Sequence, residues 1–227
     1  MNRNDHSKKS VTAGQVSPAV IRRLPRYHRF LGELLRRGIM RTNSTELSAQ
    51  LGVTASQIRQ DLNCFGGFGQ QGYGYNVRYL YERIGELLGV NEGFSVIIVG
   101  AGNLGRALVS SHMFERRGIS RLAMFDVSTD IIGKEISGVR VYNVEELEEY
   151  CKTHHVDIAV LTTPKDVSCE VALRIAACGI GGIWNFSNNE LTLPEYPDTI
   201  IENIHLGDSL LALCYALRAE RAEHDPT

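Results

Sequence analysis

An α/β chain in two parts is what this sequence predicts, and three features carry the prediction. A β-branched run, Ser95 to Val99, ends in glycines spaced G-x-G-x-x-G at Gly100, Gly102 and Gly105, the pattern of a buried parallel strand that turns into a helix. Strand-like runs then alternate with helical periodicity to about Ile204, which predicts a doubly wound parallel sheet of the Rossmann kind. Ahead of them, residues 18–89 hold helical periodicity broken by glycines, then a glycine-rich stretch. That order predicts an N-terminal winged helix-turn-helix domain.

At 227 residues the chain can form one large or two modest domains, each with its own core. A hydrophobic share of 43% and a charged share of 22% are those of a soluble globular protein. The net charge of -2 hides a division: residues 1–85 carry 13 Lys/Arg against 5 Asp/Glu, and residues 86–227 carry 11 against 21. A basic front joined to an acidic rear suggests that the front meets a polyanion. Cys64, Cys151, Cys169, Cys178 and Cys214 show neither C-x-x-C nor metal-ligand spacing. They read as reduced, mostly structural thiols, and no metal site is expected. No apolar run approaches the ~18 residues of a membrane helix, and the N-terminus has no signal-peptide core. The expectation is a cytoplasmic protein without membrane contact.

Residues 1–17 are polar and aperiodic, as in a tail. From Ser17-Pro18, the residues Val20, Ile21, Leu24, Tyr27, Phe30, Leu31, Leu34 and Leu35 recur at helical spacing, with Pro25 breaking or restarting the helix and Gly38 ending it. Asn43-Ser44 opens a short helix that carries Leu47 and Leu51 and closes at Gly52. Thr54-Ala-Ser-Gln57 reads as a capping box for a third helix that buries Ile58, Leu62 and Phe65. In a helix-turn-helix this third helix enters the major groove. Its outer face would offer Ser56, Gln57, Arg59, Gln60 and Asn63 to base edges or phosphates; the alternative is the solvated face of a small helical bundle. Gly66 to Tyr75 interleaves five glycines with aromatics, which suits a twisted hairpin. After a helix-turn-helix that hairpin is a wing, and its tip, with Gln70, Gln71 and Tyr73, would lie along the phosphates or in the minor groove. Asn76 then caps a connecting helix with Val77, Leu80, Tyr81, Ile84, Leu87 and Leu88, stopped at Gly89.

In the rear part, Gly100 permits the tight turn, Gly102 leaves room for a pyrophosphate, and Gly105 lets the next helix, about Asn103 to Phe114, pack close to the sheet. Gly100, Ala101, Gly102, Asn103, Leu104 and Gly105 are the candidate cofactor-binding turn. Asp126 ends the strand Leu122 to Asp126, 21 residues after Gly105, where a carboxylate accepts from ribose hydroxyls and repels a 2′-phosphate. NAD(H) is expected rather than NADP(H); the alternative is a Rossmann-like sheet that binds coenzyme A, or nothing. Val139 to Val141 follows as a strand, Val144 to Lys152 as an acidic helix, Val156 to Leu161 as a buried strand and Val167 to Cys178 as a helix. Gly182 to Phe186 and Thr199 to Ile204 are the last strands. Ligands cross the carboxyl ends of such strands, which puts Thr162, Thr163, Pro164 and Asn185 near the nicotinamide half. The last helix, Leu206 to Arg218, carries Leu206, Leu210, Leu211, Leu213, Cys214 and Leu217, a stripe that finishes the core or forms a dimer surface. The expected division is a tail at 1–17, a winged-helix domain at 18–89, a Rossmann domain at 90–206 and a terminal helix and tail at 207–227. No catalytic residue is assigned. None of the nine tyrosines has Lys four residues on, and His112, His154, His155 and His205 lack an orienting carboxylate at fixed spacing.

From about Ser17 to Arg218 the chain resembles the Rex family of redox-sensing transcriptional repressors. The resemblance rests on Arg22-Arg23-Leu24-Pro25 with Tyr27, Arg29 and Phe30; Ile58-Arg59-Gln60-Asp61-Leu62; Phe65-Gly66; and Gly72 to Val77. It continues through the glycine turn, Phe125-Asp126, Leu161-Thr-Thr-Pro164 and Asn185-Phe186. It implies a homodimer with an exchanged C-terminal helix that binds an AT-rich inverted repeat of double-stranded operator DNA with NAD⁺ and releases it with NADH. It also implies a polar switch of Arg29 with the positions of Ser111 and His205. The family has tyrosine and aspartate at those two positions, and here His112 lies beside Ser111. A His205 facing Arg29 would be held neutral. The wing tip, often basic in the family, is Gln70-Gln71, which predicts a shallower salt dependence. The alternatives are a DNA-binding paralogue with a lost or altered NADH response and a small NAD-dependent oxidoreductase.

Overall fold

The structure, a computed structural model, describes residues 17–63, 69–70 and 74–224. Residues 1–16, Cys64 to Phe68, Gln71 to Tyr73 and 225–227 lie outside that description, and with them the predicted tail, Phe65 and most of the wing. Two compact units divide the chain, residues 1–90 and 91–227.

The first unit opens with α1 (Pro18–Ile21) and α2 (Leu24–Arg36). Pro25 sits in the first turn of α2, where a missing N–H costs nothing, so it restarts the helix rather than breaking it. Ile21, on the predicted apolar stripe, is exposed. α3 (Ser44–Leu51) is capped by Asn43, whose Oδ1 accepts from the Thr45 and Glu46 amides, and ends at Gly52 with φ +62°. α4 (Ala55–Asn63) starts on Thr54, whose hydroxyl accepts from the Gln57 amide at 3.2 Å. The predicted capping box is only half made. The Gln57 side chain turns instead to Asp61, one helical turn on, donating from Nε2 to the carboxylate at 2.8 Å, a charge-assisted bond stronger than the neutral one its Oε1 would accept from the Thr54 N–H. α5 (Val77–Leu87) is capped by Asn76. A three-stranded antiparallel sheet, order β1-β3-β2, joins β1 (Arg41–Thr42), β2 (Gly69–Gln70) and β3 (Gly74–Asn76). β1 was not expected; two residues carry no period to detect. Leu24, Tyr27, Leu31, Ile58, Leu62, Val77, Leu80 and Ile84 form the core.

The second unit is a seven-stranded sheet ordered β10-β9-β8-β4-β5-β7-β6. Its strands are β4 (Ser95–Val99), β5 (Ser120–Asp126), β6 (Glu135–Ile136), β7 (Val139–Asn143), β8 (Ile158–Leu161), β9 (Gly182–Asn185) and β10 (Ile200–Asn203). All pair in parallel except β6, which turns back antiparallel on β7. Ile97 and Val99 enter one apolar cluster and Val96 and Ile98 another, so β4 is covered on both faces and its sequence is continuously apolar. Strand order reverses at β4, with β5 on one side and β8 on the other. That is the switch point where such sheets take ligands.

Helices α6 (Asn103–Val109), α7 (Leu147–Thr153), α8 (Lys165–Ala177) and α9 (Leu206–His224) complete the unit. α6 stops five residues short of the expected Phe114. Ser111 Oγ accepts from the Met113 amide at 3.3 Å, which offers the backbone an alternative to the helix, and the Ser110 hydroxyl pairs with that of Ser137. The predicted helix at Val144 opens as a 3₁₀ turn under an Asn143–Glu146 capping box before α7 begins. α8 starts directly after Pro164, two residues earlier than expected, and α9 continues past Arg218 to His224.

Candidate functional site

The three glycines of the turn have different surroundings. Gly100 has φ +104°, and a Cβ there would lie 2.8 Å from the Thr162 carbonyl. A Cβ on Gly105 would meet the Gly100 oxygen at 2.0 Å. At Gly102 nothing lies within 4 Å, so its absent side chain opens space to the outside rather than permitting packing. The turn is held from two sides. Thr162 Oγ1 donates to the Gly100 oxygen at 2.7 Å, and Asp126 Oδ2 accepts from the Ala101 amide at 2.5 Å while Oδ1 accepts from the Ser128 amide at 2.9 Å.

Gly100, Gly102, Asp126, Thr162, Thr163 and Pro164 line one cleft of about 940 Å³ at the carboxyl ends of the strands, large enough for a dinucleotide-sized ligand. Thr163 Oγ1 is buried with no hydrogen-bond partner among the described residues, so it has bonding capacity left for a polar group entering the cleft. Ala101 is buried; Asn103 is exposed and Leu104 half-buried in the first turn of α6. Asn185 is fully buried and its amide is committed. Oδ1 accepts from the Ser187 amide and hydroxyl, and Nδ2 donates to the Asn189 oxygen and to Asn203 Oδ1. It shapes the 187–191 loop, which brings Ser187 and Asn188 to the cleft edge. Sequence reasoning missed Val127, Lys165 and Arg174 in the lining. Val127, 76% exposed directly after the acid, had a signal in its position. Arg174 had none: Glu148 grips it at 2.6 and 2.9 Å, and this bond holds the Glu148 carboxyl below its ordinary range against the opposing effect of burial.

On α4, Ser56, Arg59, Gln60 and Asn63 are exposed and Gln57 is half-buried. Arg59 reaches the Ser44 hydroxyl at 2.9 Å, tying α4 to α3. Asp61, on the same helix, is fully buried and fully bonded. Arg23 donates to both oxygens at 2.6 and 2.8 Å, the Tyr27 hydroxyl to Oδ2 at 2.6 Å and Gln57 Nε2 to Oδ1 at 2.8 Å. Burial works to raise the Asp61 pKa, but these donors outweigh it and hold the carboxyl below its ordinary value. Burial and the carboxylate together push the Tyr27 phenol well up. Gln70 lies on β2, and Gln71 and Tyr73 lie outside the described residues.

Of the expected switch residues, Arg29 is exposed in the first unit. Ser111 and His112 fall in the turn after α6 rather than on the helix, and His205 precedes α9. The His205 ring bonds Glu190 Oε2 at 2.7 Å. This carboxylate partner was not foreseen, and its bond to His205 holds Glu190 below its usual range. Among the described residues no cluster of His, Cys, Asp and Glu could hold a metal, and no helix is long and apolar enough to cross a membrane.

A winged helix followed by a Rossmann unit with this turn and acid defines a class, the transcription regulators that carry a dinucleotide-type domain. Family models agree with both halves: a putative DNA-binding protein N-terminus matches residues 15–63 and a CoA binding domain matches residues 91–189. The redox-sensing transcriptional repressor Rex of Caldanaerobacter subterraneus subsp. tengcongensis is 50% identical over 214 residues, 94% of this chain and 93% of its own length. That of Clostridium botulinum (strain Hall) is 48% identical over 198 residues, 87% of this chain and 93% of its own. The crystal structure of RSP with β-NAD⁺ and operator DNA matches with a TM-score of 0.84 at 48% identity, covering 92% of this chain and 95% of that one. RSP with β-NADH matches with the same score at 44% identity, covering 92% and 97%. The chain belongs to the Rex family of redox-sensing transcriptional repressors.

Proposed function

We propose that this protein represses transcription by binding palindromic operator DNA as a homodimer, and that it leaves the DNA when NADH replaces NAD⁺. The observation that carries the reading is the cleft in which the open face of Gly102 and the carboxylate of Asp126 stand together, in a chain that begins with a winged helix. The relative RSP has been crystallised with β-NAD⁺ and operator DNA and with β-NADH, which supports the same ligands here. Gly102 admits the pyrophosphate to the backbone, Asp126 accepts from the adenosine ribose, and Thr163 and the Asn185-shaped loop meet the remote half. The nicotinamide supplies the redox difference; the protein distinguishes its two forms by shape and charge. Coenzyme A suits the cleft less well, because its ribose phosphate would face Asp126.

The operator is proposed to be an AT-rich inverted repeat, met by α4 and the wing of each subunit. α9 supports the dimer: Leu206, Leu210, Leu211, Leu213, Tyr215 and Leu217 are all exposed on the single chain, an apolar surface larger than isolated subunits leave uncovered. The protein is proposed to be cytoplasmic and not an enzyme. His155 pairs with Asp157 at the amino end of β8, the opposite end of the sheet from the cleft, and His154 stacks on Tyr150 at 4.0 Å. Ligand control follows from differential affinity alone. A tenfold preference at each of two sites supplies about 2.8 kcal/mol, enough only if the unliganded equilibrium is nearly balanced.

A second reading, a DNA-binding paralogue with an altered response, is favoured by Ser111 lying off the helix and by Glu190 holding His205. Titrating operator-bound protein with NADH and, in parallel, NAD⁺ separates the two. Release by NADH at concentrations where NAD⁺ leaves the complex intact is expected, and equal effects would refute redox sensing.

A further inference from the structure

The buried acid on the recognition helix does more than hold α4 in place. All four lone-pair directions of Asp61 are used, two by Arg23, one by Tyr27 and one by Gln57. Arg23 cancels its charge, so the acid does not repel phosphates beside it. Its effect on Gln57 is directional. A carboxylate only accepts, so the Gln57 amide nitrogen must face Asp61, and the flipped amide would set oxygen against oxygen. One N–H of Nε2 is thereby spent at 2.8 Å, and Oε1 has no partner among the described residues. Gln57 lies in the first turn of α4, the part of a recognition helix that meets base edges. What it has left is one acceptor and one donor, side by side and locked in orientation.

We propose that Asp61 is a positioning residue that fixes Gln57 to read an adenine in the major groove, an inference that rests on the operator-binding reading above. Adenine presents N6–H and N7, a donor beside an acceptor, and so uses both free groups of the locked amide. Guanine shows two acceptors, thymine an acceptor and a methyl, and cytosine a donor alone, so each leaves part of the amide unmatched. An unlocked glutamine could flip and would discriminate less.

The test selects bound duplexes from a random-sequence pool with the full-length protein and NAD⁺, and compares wild type with Gln57→Ala and Asp61→Asn. Wild type is expected to enrich adenine at one position of each half-site, by about tenfold over guanine, the discrimination of one good bidentate contact. Both variants are expected to lose that preference and keep the others, and 7-deaza-adenine at that position should weaken the wild type alone. Gln57→Ala leaves Asp61 bonded to Arg23 and Tyr27, so it carries the test even if Asp61→Asn does not fold. Uniform weakening at every position by Asp61→Asn, or an unchanged profile in Gln57→Ala, would overturn the proposal. A wild-type protein that enriches no sequence would overturn the operator reading itself, and this proposal with it.

Discussion

Adding one methyl at Gly102 and one at Gly105 should have opposite consequences. At Gly105 the Cβ would sit 2.0 Å from the Gly100 oxygen, where ordinary contact begins at 3.4 Å, so one backbone segment must move by more than an ångström. Gly100 cannot yield easily, because its N–H donates to the Phe125 oxygen at 2.8 Å and its oxygen accepts from Thr162. Alanine's better helix propensity, about 1 kcal/mol, does not offset such overpacking, which costs roughly 1–3 kcal/mol. We expect Gly105→Ala to melt several degrees lower, at roughly 2–4 °C per kcal/mol for a chain of this size. Gly102→Ala meets nothing within 4 Å, and its φ of -70° suits alanine. Its stability should stay within about 1 kcal/mol of wild type, while the methyl fills the approach of the pyrophosphate. NADH affinity should fall at least tenfold, about 1.4 kcal/mol. Thermal unfolding followed through Trp184, the single tryptophan, and titration of NADH fluorescence read the two effects separately. A Gly102→Ala protein that binds NADH like wild type, or a Gly105→Ala protein that melts no lower, would refute this account of the turn.

Asp126→Ala should weaken NAD(H) and narrow its advantage over NADP(H), since the carboxylate both repels a 2′-phosphate and anchors the Ala101 amide; competition titrations with the four nucleotides measure it. Arg59→Ala should cost operator affinity, and an equal loss on random duplex would assign Arg59 to phosphate rather than bases. Because the Asp61 carboxyl is depressed in the folded protein, its contribution is complete above the ordinary carboxylate pKa of about 3.9 and is lost as pH falls through the lower folded value. Helical circular dichroism should therefore show an acid transition in the first unit that Asp61→Asn flattens. That variant should also destabilise the first unit near neutral pH, by about 1.5–3 kcal/mol, because its neutral amide has one acceptor oxygen where the carboxylate had two for Arg23, Tyr27 and Gln57. Leu211→Asp, on the exposed stripe of α9, should shift the sedimenting species toward monomer without lowering the Trp184 transition, and an intact dimer would place the interface elsewhere.

Local chemistry repeated along a short stretch was legible in the chain itself. The apolar run of β4, the three glycines and the acid ending β5 lie within 32 residues, and their spacing alone implies a phosphate turn and a ribose contact. Caps at Asn43 and Asn76 were legible for the same reason, since a cap is a bond between near neighbours. What only the tertiary structure decided were pairings between distant segments, for which a sequence holds no period. Arg23 meets Asp61 across 38 residues and thereby turns Gln57 away from its expected cap; Glu190 meets His205 across 15. Thr162 closes on Gly100 from a strand 62 residues away. Ser110, at the end of α6, meets the Ser137 hydroxyl across 27 residues. Secondary structure follows from neighbours along the chain, whereas the direction a polar side chain faces is set by whichever remote group folding leaves beside it.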